Sequence, residues 1–170
     1  MVLGMSLEQF TLLHVVISIV GILSGFVVAF GLLNGKRLDR WTALFLITTI
    51  LTDLTGYLFP FKELLPSHIV GGISLLVLIF AVLARYRKKL AGPWRRIYVI
   101  TAMIALYLNV FVLIVQGFRK VPALTALAPT GTETPFKIVQ LVVLIAFVIL
   151  TVAADKKFRS ALRSLDSMLA

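Results

Sequence analysis

The chain contains no cysteine. Disulfides, thiolate metal sites and cysteine nucleophiles are therefore excluded. Acidic residues are scarce: seven Asp and Glu stand against 17 Lys and Arg, and charged residues make up 14% of the 170. A typical soluble domain carries ~25%. No GxSxG, HExxH or GxxxxGK pattern occurs, so the motif-defined hydrolases and nucleotide-binding enzymes have no support. Internal repeats and low-complexity tracts are absent as well. The first ten residues, Met1 to Phe10, hold Glu8 and no Lys or Arg. A secretory leader needs a basic start and a small-residue cleavage site, so the first apolar stretch is expected to be retained.

Apolar residues are abundant, at 60% of the chain. A soluble domain of this length cannot hide so much apolar surface. The formal net charge of +10 is compatible with nucleic acid in principle. In a chain this hydrophobic it points to basic loops beside a membrane, and no nucleic-acid partner is expected.

Five long apolar stretches, roughly 11–33, 41–59, 67–84, 97–118 and 138–154, predict transmembrane helices. A helix needs ~20 residues to cross ~30 Å of hydrocarbon. The runs lack the alternation of barrel strands. The expected fold is all-α: one domain over 1–170, a bundle of five transmembrane helices plus a short C-terminal amphipathic helix. Asn34-Gly35, Pro60, Pro66 and Gly92-Pro93 mark the breaks. Residues 119–137 hold Pro122, Pro129 and Pro135 and form a surface connection, either an ordered cap or a mobile loop. In the tail 155–170, Phe158, Ala161, Leu162, Leu165 and Leu169 recur at helical spacing among four cationic residues. This tail either lies on the membrane surface, held by anionic lipid, or continues the fifth span.

Charge sets the orientation. Thirteen basic residues fall on one side: Lys36, Arg37, Arg40, Arg85, Arg87, Lys88, Lys89, Arg95, Arg96, Lys156, Lys157, Arg159 and Arg163. Four fall on the other: Lys62, Arg119, Lys120 and Lys137. The N-terminus is then outside and the C-terminus cytoplasmic, with anionic lipids at the cytoplasmic face.

Polar residues within the spans are where function is sought, because they are costly in lipid. A carboxylate at a helix centre costs ~2.5–3.5 kcal/mol on insertion scales. Asp53 is the one acid inside a span. On a helical wheel it shares an arc with Thr48, Thr49, Thr52, Thr55 and Gly56, while most leucines of that span lie elsewhere. The first span carries the stripe His14, Ser18, Gly21, Gly25 and Ala29, whose GxxxG pair admits close helix packing. The fourth carries Tyr98, Ala102, Ala105, Asn109, Val112 and Gln116 in steps of 4, 3, 4, 3 and 4. The third opens with His68, Gly71 and Gly72, and the fifth with Gln140. His14, Asp53, His68, Asn109, Gln116 and Gln140 all fall in the outer half, which predicts an outward-facing pocket for a small ligand or ion, with 119–137 as its lid.

Each residue also has a plainer reading: the histidines as hydrated headgroup-level residues, Asp53 and the amides as helix-joining hydrogen-bond partners. On that reading the chain is an accessory or assembly subunit with no site of its own. Two cofactor readings use the histidines. His14 and His68 are candidate axial ligands of a haem, with Gly71 and Gly72 leaving room for the macrocycle, or they join Asp53 around a divalent metal. Proton-coupled transport through Asp53 is a further option. An odd span count would then call for a homo-oligomer to supply paired repeats.

The stretches Thr55-Gly-Tyr-Leu-Phe-Pro60, Pro66-Ser-His68, Lys120-Val-Pro-Ala-Leu124 and Ala128-Pro-Thr130 resemble those of a group of small multi-pass bacterial membrane proteins without an assigned activity. The resemblance covers most of the chain. It implies a bacterial inner-membrane location and no particular chemistry.

Overall fold

The computed structural model describes residues 2–60 and 66–169, and the side chains of all of these but 66, 67 and 162–169. Among the described residues the chain is all helix apart from turns and one isolated bridge, Val2 to Met5. The elements are α1 (Leu7–Leu33), α2 (Asp39–Tyr57), α3 (Pro66–Val82) running on into a π turn (Leu83–Arg87), α4 (Trp94–Lys120), the short α5 (Pro122–Leu127) and α6 (Thr134–Leu169). Among the described residues, four stretches are long and apolar enough to cross a membrane: Leu7–Leu33, His68–Arg87, Trp94–Lys120 and Thr134–Ala161. The expected second span, α2, is not among them. Its threonines, Asp53 and the flanking Asp39 and Arg40 lower its apolarity below that of the others.

Local chemistry sets the helix ends. The Ser6 hydroxyl accepts from the Gln9 amide at 3.2 Å, and the Gln9 side chain accepts from the Ser6 amide at 3.0 Å. This reciprocal cap starts α1 four residues before the predicted apolar run. At the other end Gly35 takes φ +68° and turns the chain toward α2. Pro122 occupies the first turn of α5, where its missing N–H costs nothing.

Helix α4 is the centre of the bundle, touching α1, α3, α5 and α6. Its buried stripe is Tyr98, Val99, Ala102, Met103, Ala105, Leu106 and Asn109. The alanines let neighbouring backbones come close, as packing without a hydrophobic gradient requires. Helix α2 lies against α1 and α3. Helix α6 packs on α1 and α4 by one edge and leaves Ile138, Leu141, Val142, Ile145, Val148, Ile149 and Val152 exposed, a face suited to lipid.

Of the two readings of the tail, continuation of the last span is the one seen. No break separates the fifth span from the C-terminal amphipathic helix: α6 runs unbroken to Leu169. The residues predicted to face the membrane surface are occupied by the protein itself. Phe158 is fully buried, with its ring centroid 6.2 Å from that of Tyr98. The Ala161 methyl lies against Gly35, where a Cβ would come within 2.7 Å of it. The tail up to Ala161 is therefore a brace across the α1–α2 turn. Leu162, Leu165 and Leu169 lie outside the described side chains.

Candidate functional site

The predicted site residues fall at the α5 end of the bundle, and three of them are engaged in hydrogen bonds between helices. His14 donates or accepts through Nδ1 to Thr55 Oγ1 at 2.8 Å. The single Thr55 hydroxyl proton is directed to the Leu51 carbonyl at 2.7 Å. Nδ1 must then carry a proton and donate to Thr55. The ring stands edge-on to Phe59 at 5.2 Å. Asn109, buried on α4, donates to Thr49 Oγ1 at 3.2 Å. Gln140, buried on α6, donates to the Phe111 carbonyl at 3.2 Å, while its own Oε1 has no hydrogen-bond partner. Gln116 is exposed on α4. Three predicted ligands thus tie α1 to α2, α4 to α2, and α6 to α4.

His68 is buried at the start of α3, and its ring stacks on Tyr57 at 5.6 Å. The Tyr57 hydroxyl donates to the His68 carbonyl. Gly71 and Gly72 were expected to leave room for a macrocycle. That room is filled by the same tyrosine, whose ring or hydroxyl would sit 3.5 and 3.2 Å from a Cβ at either position. Among the described residues, no three His, Asp or Glu side chains converge closely enough to hold a metal ion, so His14, Asp53 and His68 do not form the predicted triad.

Asp53 is different. It is half-buried on α2, and its Oδ2 is buried with no hydrogen-bond partner. The side chain that interacts with it across the helix interface is the Ser74 hydroxyl of α3, itself buried and short of a close hydrogen bond. A carboxylate and a hydroxyl therefore face each other without closing a bond. Unpaired polar atoms of this kind cost ~1–3 kcal/mol each, and a native fold keeps such groups for a reason. Ser74 escaped the sequence reading because one serine in an apolar span is common. Its signal was the spacing Ser74, Leu78, Ala81, Arg85, in steps of 4, 3 and 4, all four of them buried.

That stripe ends on the second residue the sequence reading missed. Arg85 falls just past the expected span 67–84, yet it lies inside the π turn and is 4% exposed. Its guanidinium pairs with Asp39, donates to the Arg37 carbonyl at 3.0 Å and covers the Tyr98 ring at 5.4 Å. The Tyr98 hydroxyl is hydrogen-bonded to Thr42 at 3.1 Å. This network fastens α2, α3 and α4 together at the π-turn end, far from Asp53.

The predicted lid is ordered. Thr125 Oγ1 donates to the Phe118 carbonyl at 2.8 Å, and Phe118 meets Phe136 edge-on at 5.3 Å. Glu133 closes the turn after α5: Oε1 accepts the Thr130 amide at 2.9 Å and the Thr130 hydroxyl at 2.8 Å, and Oε2 accepts the Thr132 amide at 2.9 Å. The Thr130 amide, foremost among these donors, holds the Glu133 carboxyl down at about 2, from an ordinary 4.5. A carboxyl depressed on folding adds stability that is complete above the ordinary value and is lost as pH falls through 4.5 to about 2. Hydrogen-exchange protection of the Thr130 and Thr132 amides is expected to hold at neutral pH and to disappear near pH 2. Glu133→Gln is expected to remove it at neutral pH. Equal protection in that variant would contradict this capping role.

Comparison of the chain with protein-family models, with curated proteins and with solved structures finds no match, so no family is assigned.

Proposed function

We propose that the chain is a membrane protein of five spanning helices that binds a small monovalent cation, a proton or an alkali-metal ion, at Asp53. Helix α2 supplies the fifth span: 19 residues reach ~28 Å at 1.5 Å per residue. Its place beside α1 and α3 lets its threonines and Asp53 turn inward, away from lipid. The distribution of Lys and Arg supports an N-terminus outside and a cytoplasmic C-terminus, and the motif resemblance supports a bacterial inner membrane. Asp53 then lies in the outer half.

The observation that carries the cation reading is the pair of buried, unpartnered oxygens, Asp53 Oδ2 and Ser74 Oγ. One carboxylate and one hydroxyl suit a single positive charge and a hard oxygen-seeking ion. The bonds His14–Thr55, Asn109–Thr49 and Gln140–Phe111 hold the surrounding helices in place. These same bonds favour the second reading, an accessory subunit of a larger membrane complex whose polar residues only join helices.

Melting of the purified protein in detergent separates the two. A ligand that binds only the folded state adds ~2.7 kcal/mol at a hundredfold excess over its dissociation constant. The native protein is expected to melt several degrees higher when sodium or potassium is supplied in place of choline at fixed pH. Asp53→Asn should melt at a temperature indifferent to them, and Ser74→Ala should respond weakly. If native protein and Asp53→Asn respond alike, the cation site is wrong and the subunit reading takes its place.

A further inference from the structure

Asp53 and Ser74 face each other across the α2–α3 interface, and the two ends of that interface are closed differently. Toward the π-turn end, the stripe of α3 continues from Ser74 through Leu78, Ala81 and Arg85, all buried. Arg85 is itself fixed to Asp39 and to the Arg37 carbonyl. Toward the α5 end, the next residue on the Asp53 side of α2 is Tyr57, one helical turn on. The α3 residues it meets are Gly71 and Gly72, which offer no side chain. The tyrosine fills their place: a Cβ on Gly71 would meet its ring at 3.5 Å, and one on Gly72 its hydroxyl at 3.2 Å. The ring stacks on His68 with centroids 5.6 Å apart, and the hydroxyl donates to the His68 carbonyl. Tyr57 is only half-buried. One end of the cleft is thus packed core. The other is an aromatic ring lying on glycine backbone and latched by a hydrogen bond.

We infer that Tyr57 gates the Asp53 site: its ring closes the α2–α3 cleft toward the α5 end, and its rotation off Gly71 and Gly72 admits a small monovalent cation from that side. The inference rests on the cation reading of Asp53. A half-exposed side chain changes rotamer without moving the backbone, and two glycines present no Cβ to obstruct the swing. Removing the hydroxyl keeps the ring and its stack but loosens the latch. Removing the ring leaves the cleft open over the glycines. A tyrosine that only anchors a helix end at the headgroup level would control access to Ser74 in neither case.

The absence of cysteine supplies the test. Ser74→Cys places a single thiol beside Asp53, and a small cationic methanethiosulfonate labels it in the full chain in detergent, with mass as the readout. Ser24→Cys, at a position 1% exposed on α1, is the reference. With Tyr57 in place the Ser74→Cys thiol is expected to react slowly. Tyr57→Phe should speed it about two- to tenfold, the worth of one hydrogen bond, and Tyr57→Ala should speed it further. Neither should speed labelling of Ser24→Cys. An unchanged rate at Ser74→Cys, or an equal rise at both positions, would overturn the inference. Tyr57→Phe keeps the ring and remains readable if Tyr57→Ala does not fold. Labelling rates do not depend on a cation at Asp53, whereas the melting response to sodium does. A sodium response in the native protein with unchanged labelling rejects the gate alone. Faster labelling without a sodium response rejects the cation site, and with it a gate to that site.

Discussion

Replacing Gly25 by leucine is expected to abolish the folded, monodisperse protein. A Cβ at this position would come within 2.5 Å of Leu106 Cδ1 and 2.9 Å of the Phe45 ring. Gly25 is thus where α1, α2 and α4 approach each other, and both neighbours are fully buried. Neither has space to retreat into, because the interior is close-packed. Even alanine must displace them, at an overpacking cost of about 1–3 kcal/mol. Gly56 is the internal comparison: the nearest atom to a Cβ there is His14 Cε1 at 3.9 Å. Gly56→Ala should therefore leave the melting temperature within a degree or two. Size-exclusion profiles and melting curves of the three variants check this. Folded Gly25→Leu protein would show that the three helices do not meet as described.

The second large effect is an asymmetry in the Arg85–Asp39 pair. The Arg85 side chain is 3% exposed and that of Asp39 is 73% exposed. Removing the exposed partner, by Asp39→Asn, strands a buried cation beside only a carbonyl and an aromatic ring, with Nη1 already unpartnered. Loss of one partner from a buried pair costs about 3–5 kcal/mol, and water access to Asp39 places this case near about 3. Removing the buried partner, by Arg85→Met, leaves Asp39 free to hydrate and replaces a buried charge by an apolar chain. That substitution should cost less than half as much. Melting midpoints of the two variants decide it, and a larger loss for Arg85→Met would contradict the arrangement.

The helices were legible because composition and hydrophobic run length leave few alternatives, and the GxxxG pair and the small stripe of α4 announced close packing that the structure places in the core. The partners of the polar residues were less legible. His14, Asn109 and Gln140 share a depth, which suggested a common pocket. Depth along a helix says nothing of azimuth on its neighbours, and each of them bonds a different group. Gln116 continues the spacing of Asn109 but is exposed, although Phe118, two residues further on, is buried. Arg85 was misread because a span was ended at the first charge. A π turn carries α3 past that point and turns the guanidinium inward, where the regular 3.6-residue repeat still foretold burial. Asp53 stood out in the sequence as an acid inside an apolar run, while Ser74, on the facing helix, is visible only in the fold.

The most direct test of the central proposal is the carboxyl ¹³C signal of Asp53 in the lipid-embedded protein. The chain has four aspartates, Asp39, Asp53, Asp155 and Asp166, so the signal can be assigned by its disappearance in Asp53→Asn. If Asp53 binds a monovalent cation, its shift should move when sodium or potassium replaces choline at fixed pH, or when pH is varied over the range in which the protein stays folded. The same change should be blunted in Ser74→Ala. An Asp53 signal that responds to neither alkali ions nor protons would contradict the proposal and leave the residue a structural one.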